Sequence, residues 1–222
     1  MVEGFDIKWD EVYQNGKQLN KYPLTDLVAF YYNNFKENTN KLNILEIGCG
    51  AGNNLEFLSE EKHNIYGIDA SNIAIDHCKR KFAQKNLSAD FVVGEFTNLP
   101  YENDFFDIII NRAAICHTDI INANIAMKEC NRVIKKSGKI YSTFFTNLNI
   151  FKANKINFGY YNSFEEGFKN IGALKFYNVF EIKELFEKNN FEIKNLYLSE
   201  KTDMIQIPTK IISEWIIHSM KK

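Results

Sequence analysis

At 222 residues, 45% hydrophobic and 25% charged, the chain is long enough to bury one full core and is expected to form a single domain. A formal net charge of −1 supplies no global positive field for gathering phosphates, which argues against a nucleic-acid partner and for a small-molecule one. No apolar run is long enough to cross a bilayer and no secretory leader pattern opens the chain; Cys49, Cys78, Cys116 and Cys130 lack CxxC spacing, so they are read as reduced thiols of a cytoplasmic protein.

Residues 1–41 are aromatic-rich and expected to be mostly helical, broken near the middle by Pro23. Trp9, Tyr13 and Tyr22 on this arm are candidates to close over a site, with simple packing on the sheet as the equal alternative. From residue 42 short β-branched runs alternate with helical-period stretches, the pattern of parallel strands joined by crossover helices. Strands are expected at 43–47, 64–69, 89–94, 106–111 and 139–145. Helices are expected at 54–60, 72–84 and 120–133, the second capped by the Ser71 hydroxyl.

Residues 99–104 read as a turn, and the helix at 120–133 is expected to end before Lys135-Lys136-Ser137-Gly138, where cations and a glycine suit a helix C-terminus. Residues 147–179 are too long for an ordinary connection. Their "FGYYNSFEEGF" stretch offers Tyr160 and Tyr161 as faces for a sugar or another flat acceptor, with Glu165 and Glu166 as polar contacts. A helix at 180–190 and a strand at 191–199 follow. The β-branched and aromatic content of 211–219 favours an edge-side strand.

The chemistry concentrates in "LEIGCGAGNN". Gly48, Gly50 and Gly52 after the first strand let the backbone turn sharply and approach a ligand that any Cβ would push away. The spacing is GxGxG, not the GxGxxG of a dinucleotide loop, and Glu46 precedes it. An acid there would repel a pyrophosphate, but it can orient backbone or receive an ammonium group. Asp69 closes the next strand in "YGIDAS", the place from which a carboxylate accepts two hydrogen bonds from a ribose diol; capping the following helix is the plainer role.

"LEIGCGAGNN", "YGIDAS", "VVGEFTNLPYENDFFDIIINR" and "INANIAMKECNRVIKKSGKIYSTFF" resemble, in order and spacing, the successive motifs of class I S-adenosylmethionine-dependent methyltransferases over about residues 42–146. The resemblance implies a Rossmann-like α/β fold: a seven-stranded, mostly parallel sheet with the last strand antiparallel and helices on both faces. It further implies that S-adenosyl-L-methionine is the cofactor. Glu46, Gly48, Gly50 and the backbone of Asn111 would line its methionine end, Asp69 would bind the ribose, Ala70 and Ser71 would face the adenosine, and Glu95 and Phe96 would meet the adenine. Glu95 stands where the family usually has Asp and is longer. On this reading 1–41 is an arm or lid, 42–146 the cofactor core, 147–179 a substrate-side insertion and 180–222 a C-terminal helix and strand pair.

A sulfonium methyl is already electrophilic, so the protein must mainly align an acceptor and exclude water, with a base wherever the acceptor carries a proton. His117 in "NRAAICH" is the candidate base, and a packed histidine the alternative. Arg112 is expected to pair with a carboxylate of the protein or of a substrate. Cys116 is not expected to act as a nucleophile, because neighbouring side chains in an extended segment point apart. No His and acid cluster has metal-ligand spacing. The expected reaction is methyl transfer to oxygen or nitrogen of a small molecule; a protein or RNA methyltransferase, or a non-catalytic cofactor-binding protein, are the alternatives. Asn111-Arg112-Ala113-Ala114 lacks the Pro-Pro-aromatic sequence used on exocyclic base amines.

Overall fold

The structure, a computed structural model, describes residues 8–38, 40–148, 153–157, 160–163, 173–205 and 210–222, with backbone alone at 153–157, 160–163, 173 and 210. Two helices open it, α1 (Lys8–Gln14) and α2 (Thr25–Phe35), with Pro23 between them. Then come β1 (Asn43–Ile47), α3 (Asn53–Glu60), β2 (Asn64–Asp69), α4 (Asn72–Gln84), β3 (Asp90–Val93) and β4 (Phe106–Arg112). A single tight helical turn, Ala114–His117, precedes α5 (Ile120–Val133) and β5 (Ile134–Phe145). The short strands β6 (Ala153–Asn157), β7 (Tyr160–Ser163) and β8 (Ala173–Lys175) form a separate antiparallel sheet. The chain closes with α6 (Val179–Lys188), β9 (Phe191–Asp203) and β10 (Lys210–Lys221).

The seven-stranded sheet has the order β3-β2-β1-β4-β5-β10-β9, with β10 antiparallel to both of its neighbours. Strands β1 and β4 sit at its centre and are apolar toward both faces: Ile44, Leu45, Ile47, Ile108, Ile109 and Ile110 are all buried. One core lies under α5 and α6, where Met127, Phe144, Phe186 and Phe191 meet, and the other under α2, α3 and α4, around Phe30, Leu55, Ile75 and Tyr141. No helix among the described residues is long and apolar enough to cross a membrane.

One sequence expectation is corrected here. The strand at 211–219 is not at the edge, because β10 lies between β5 and β9 and the edge belongs to β9. Its apolar residues serve two faces, Ile217 toward one core and Ile216 toward the other, which suits an interior strand. Helix α5 ends at Val133, before Lys135-Lys136-Ser137-Gly138, as expected. Strand β5 begins directly at Ile134, Lys135 pairs with Asp107 at 2.7 Å, and Ser137 takes the left-handed turn at φ 62°. Lys135 there answers a carboxylate on β4.

Candidate functional site

The loop between β1 and α3 turns through three glycines in the left-handed region: Gly48 at φ 61°, Gly50 at 49° and Gly52 at 66°. All three also admit close neighbours, Gly52 that of Cys78 Sγ, 2.9 Å from where its Cβ would stand. A Cβ on Gly48 would lie 2.5 Å from the Ala114 Cβ, and one on Gly50 would lie 2.9 Å from the Tyr13 hydroxyl oxygen. Absent side chains therefore let the post-β4 turn and the N-terminal arm close onto this loop.

Asp69 ends β2 beside the loop and is buried. Its two carboxylate oxygens accept from the backbone N–H groups of Gly50 and Ser71, each at 2.9 Å. Burial raises its pKa and these two bonds pull it back. Each oxygen retains a further lone pair, so the carboxylate organises the loop while still able to accept from a ligand. Ser71 is buried and caps α4, its hydroxyl accepting from Ala74 N–H and donating to Asp10 of α1. Ala70, between them, is half-buried.

Glu46 projects from β1 behind the loop and is 2% exposed. One oxygen accepts from Asn54 Nδ2 at 2.7 Å; the other is buried with no partner among the described residues. Burial pushes its pKa from 4.5 to about 8, against the pull of the Asn54 bond and the charges of Arg112 and Lys81 and with a further push from Asp69. The folded protein thus holds a proton that the unfolded chain gives up. Stability of the unliganded protein is expected to be greatest below about pH 4.5 as far as this group is concerned, and to fall as pH rises from there to about 8. Glu46→Gln should flatten that slope in urea titrations run across the window; an unchanged slope would remove Glu46 as its source.

Asn54 and its neighbour Asn53 were not singled out by sequence reasoning. Asn54 also accepts from Leu24 N–H at 3.0 Å, and Asn53 donates to the Tyr22 carbonyl at 2.7 Å. The pair ties the arm to the loop. Two buried asparagines in the first turn of a helix that goes on to bury Leu55 and Leu58 were the available signal.

On the far side of β2, Gly94 N–H bonds to the Asp69 carbonyl at 3.0 Å and brings Glu95 and Phe96 beside the strand end. One Glu95 oxygen accepts from the Thr97 hydroxyl at 3.0 Å, while the other is buried with no partner among the described residues. Phe96 packs against the core under α5. Asn111, buried at the end of β4, accepts from Ile115 N–H at 3.2 Å, so its side chain shapes the turn that follows.

That turn carries His117, half-buried with its ring 4.9 Å from Trp9 in an edge contact and 6.2 Å from Phe145. Its Nδ1 is buried without a partner among the described residues. Burial, with the Arg112 charge, lowers its pKa to about 4, so the imidazole stays neutral at physiological pH and is a weak base. Cys116 and His117 share a helical turn, not the extended segment expected. Cys116 is nevertheless no nucleophile: it accepts from Phe145 N–H, and burial pushes its pKa up to about 12. All four cysteines are free and buried. No group of His, Cys, Asp and Glu that could hold a metal lies among the described residues.

The arm covers these groups. Trp9 and Tyr13 stack at 5.8 Å, and Trp9, Val12, Phe145, Leu174 and Phe176 pack together, joining α1 to the end of β5 and to β8. Tyr22 differs: its ring is 73% exposed and only its carbonyl engages the loop. Tyr160 and Tyr161 lie on β7, but their side chains, like all of Glu165 and Glu166, lie outside the described residues. Arg112 is exposed and has no ion pair among the described residues, contrary to the expected protein carboxylate partner. Sequence reasoning also passed over Asp10, which meets Ser71, and Glu214 on β10.

Residues 45–142 match the family model described as a methyltransferase domain. The chain is 32% identical over 100 residues to the ubiquinone biosynthesis O-methyltransferase of Bartonella tribocorum, covering 45% of this chain and 40% of that protein. It is 29% identical over 105 residues to the sarcosine/dimethylglycine N-methyltransferase of Aphanothece halophytica, covering 45% and 36%. These matches span about two fifths of the length of the curated relatives. A solved S-adenosylmethionine-dependent methyltransferase from Methanosarcina mazei superposes with a TM-score of 0.73 at 19% identity, covering 90% of this chain and 98% of that one. With the methyltransferase-domain match over 45–142 and the motifs in register along a sheet of this order, the chain has the fold of the class I S-adenosylmethionine-dependent methyltransferases.

Proposed function

We propose that the chain binds S-adenosylmethionine across the C-terminal ends of β1 and β2 and transfers its methyl group to oxygen or nitrogen of a small molecule. The carrying observation is a set of acceptors without donors around the glycine loop. The free oxygens of Glu46 and Glu95 are buried and unpartnered among the described residues, and the Asp69 carboxylate between them keeps spare lone pairs. An α-ammonium, an exocyclic amine and a ribose diol are donors of matching number, so the residues present fit this cofactor.

Bound S-adenosylmethionine supplies a methyl carbon made electrophilic by a positively charged sulfur. Glu46 would receive the ammonium, Asp69 the two ribose hydroxyls and Glu95 the adenine amine, while Gly48 and Gly50 let the loop take its left-handed turn with the arm and the post-β4 turn closed onto it. Trp9 and Tyr13 act as the lid: with Val12, Phe145 and Phe176 they exclude water, which would otherwise compete with the acceptor. The small-molecule acceptor is supported by the net charge of −1 and by the two relatives, whose names specify a ubiquinone-pathway O-methylation and a sarcosine/dimethylglycine N-methylation.

Calorimetry with S-adenosylhomocysteine is expected to give one site per chain. Incubation with S-adenosylmethionine and a panel of hydroxylated and amino metabolites is expected to yield S-adenosylhomocysteine for at least one member. Absence of any binding by the wild-type chain overturns the reading.

A further inference from the structure

Three elements meet at the acceptor side of the glycine loop, and two charged residues there have no ion pair or hydrogen bond among the described residues. Arg112 is the last residue of β4 and pairs in register with Thr143 of β5; Glu214, near the start of β10, pairs with Phe145, two residues further along β5. Register partners share a face and alternate residues return to it, so Arg112 and Glu214 stand on one face at the C-terminal edge of the parallel strands. Phe145 itself faces His117 and belongs to the aromatic roof formed with Trp9. Glu214 is half-buried, yet neither a hydrogen bond nor an ion pair engages its carboxylate among the described residues.

Arg112 lies between the two acids. Its charge is the largest cationic influence on both Glu46 and Glu214, yet neither comes within ion-pair distance of it. A guanidinium left open there can take an acceptor carboxylate by its two-pronged fork.

We propose that Glu214 takes the proton of the methyl acceptor, and that Arg112 holds a carboxylate on that acceptor, a small hydroxy or amino acid anion. The inference rests on the methyltransferase reading above. The acceptor lone pair forms the bond to the methyl carbon, and the carbon–sulfur bond breaks with its electron pair passing to sulfur. The proton released from the acceptor oxygen or nitrogen passes to a Glu214 oxygen, leaving a neutral carboxylic acid. His117, neutral and packed under Trp9, shapes the wall.

The surroundings of Glu214 suit this role. Burial raises its pKa above the ordinary carboxylate range; Arg112 and Lys201 oppose the shift, while Asp26 at the start of α2 adds to it. Tyr141 of β5 and Cys116 of the post-β4 turn are the other titratable groups in its field, and both remain protonated in the physiological range. A carboxylate with a raised pKa is a stronger base than an ordinary one.

The test uses the full chain, S-adenosylmethionine and a panel of small hydroxy and amino carboxylates beside their neutral amides and esters. Turnover is expected for a carboxylate and at least about tenfold weaker for its amide. Glu214→Gln should keep S-adenosylhomocysteine affinity within about twofold by calorimetry, lower kcat by at least about 100-fold, and abolish the rise of kcat with pH, while Glu214→Asp restores part of both. Arg112→Gln should raise KM for the carboxylate at least about tenfold and leave KM for the amide unchanged. The proposal is overturned if Glu214→Gln retains kcat and its pH profile, if His117→Gln removes that profile instead, or if a wild-type chain that binds S-adenosylhomocysteine methylates none of the carboxylates. Failure of the wild-type chain to bind S-adenosylhomocysteine would instead strike the underlying reading.

Discussion

Replacing Asp69 with alanine is expected to weaken S-adenosylhomocysteine binding by at least about 100-fold, because two charge-assisted hydrogen bonds to a ribose are worth roughly 1.5–3 kcal/mol each. The same change leaves the Gly50 and Ser71 N–H groups without acceptors, at about 1–3 kcal/mol apiece, so the loop itself should loosen. Asp69→Asn separates the two roles. Its remaining carbonyl can hold one of the N–H groups and its volume is kept, so most of the stability should survive while affinity falls at least about tenfold. Calorimetry read beside thermal melts checks this: native affinity in Asp69→Asn would show that the ribose does not sit on this carboxylate.

The other large effect is expected at Gly48. Alanine there must hold φ near 61° with its Cβ 2.5 Å from the Cβ of Ala114. The backbone conformation costs about 1–2 kcal/mol, and the collision has no rotamer to relieve it, so either the loop or the Ala114–His117 turn must move. A total of about 2–4 kcal/mol should appear as a melting temperature lower by roughly 5–15 °C. Gly48→Ala combined with Ala114→Gly removes the collision and keeps the backbone cost. Recovery of about half the loss would assign the effect to the contact, and no recovery would assign it to the backbone alone. Because that turn carries His117 and follows Arg112, the single variant should disturb the acceptor side as well as the cofactor loop.

Much of the site was legible because its requirements are local. The apolar run ending at Ile47, the three left-handed glycines and the acid closing "YGID" each state a backbone demand within a few residues, and Ser71 caps α4 as read. Strand and helix periods placed the elements of the cofactor core within a few residues of where they lie. The terminal strand was recognised as a strand, but its neighbours were not. Whether a β-branched run lies at an edge or between two strands depends on partners from elsewhere in the chain, and β5 and β9 both turned out to pair with it. The partner of Lys135 was illegible for the same reason, since Asp107 lies far from it in sequence.

His117 shows the limit most sharply. Its residue type and place after β4 suggest a base, yet its basicity is lowered by burial and by the Arg112 charge, and its ring meets Trp9, more than a hundred residues earlier. Glu214 carries no local mark at all within "IISEWIIHS"; only the register with β5 brings it near Arg112 and the roof. What the sequence by itself determined was the backbone geometry of the loop and the order of strands and helices, because dihedral preference and hydrophobic period act over short spans. Only the tertiary structure decided which acids remain unpartnered and which titratable groups are buried, because desolvation and hydrogen bonding are set by neighbours that the fold alone brings together.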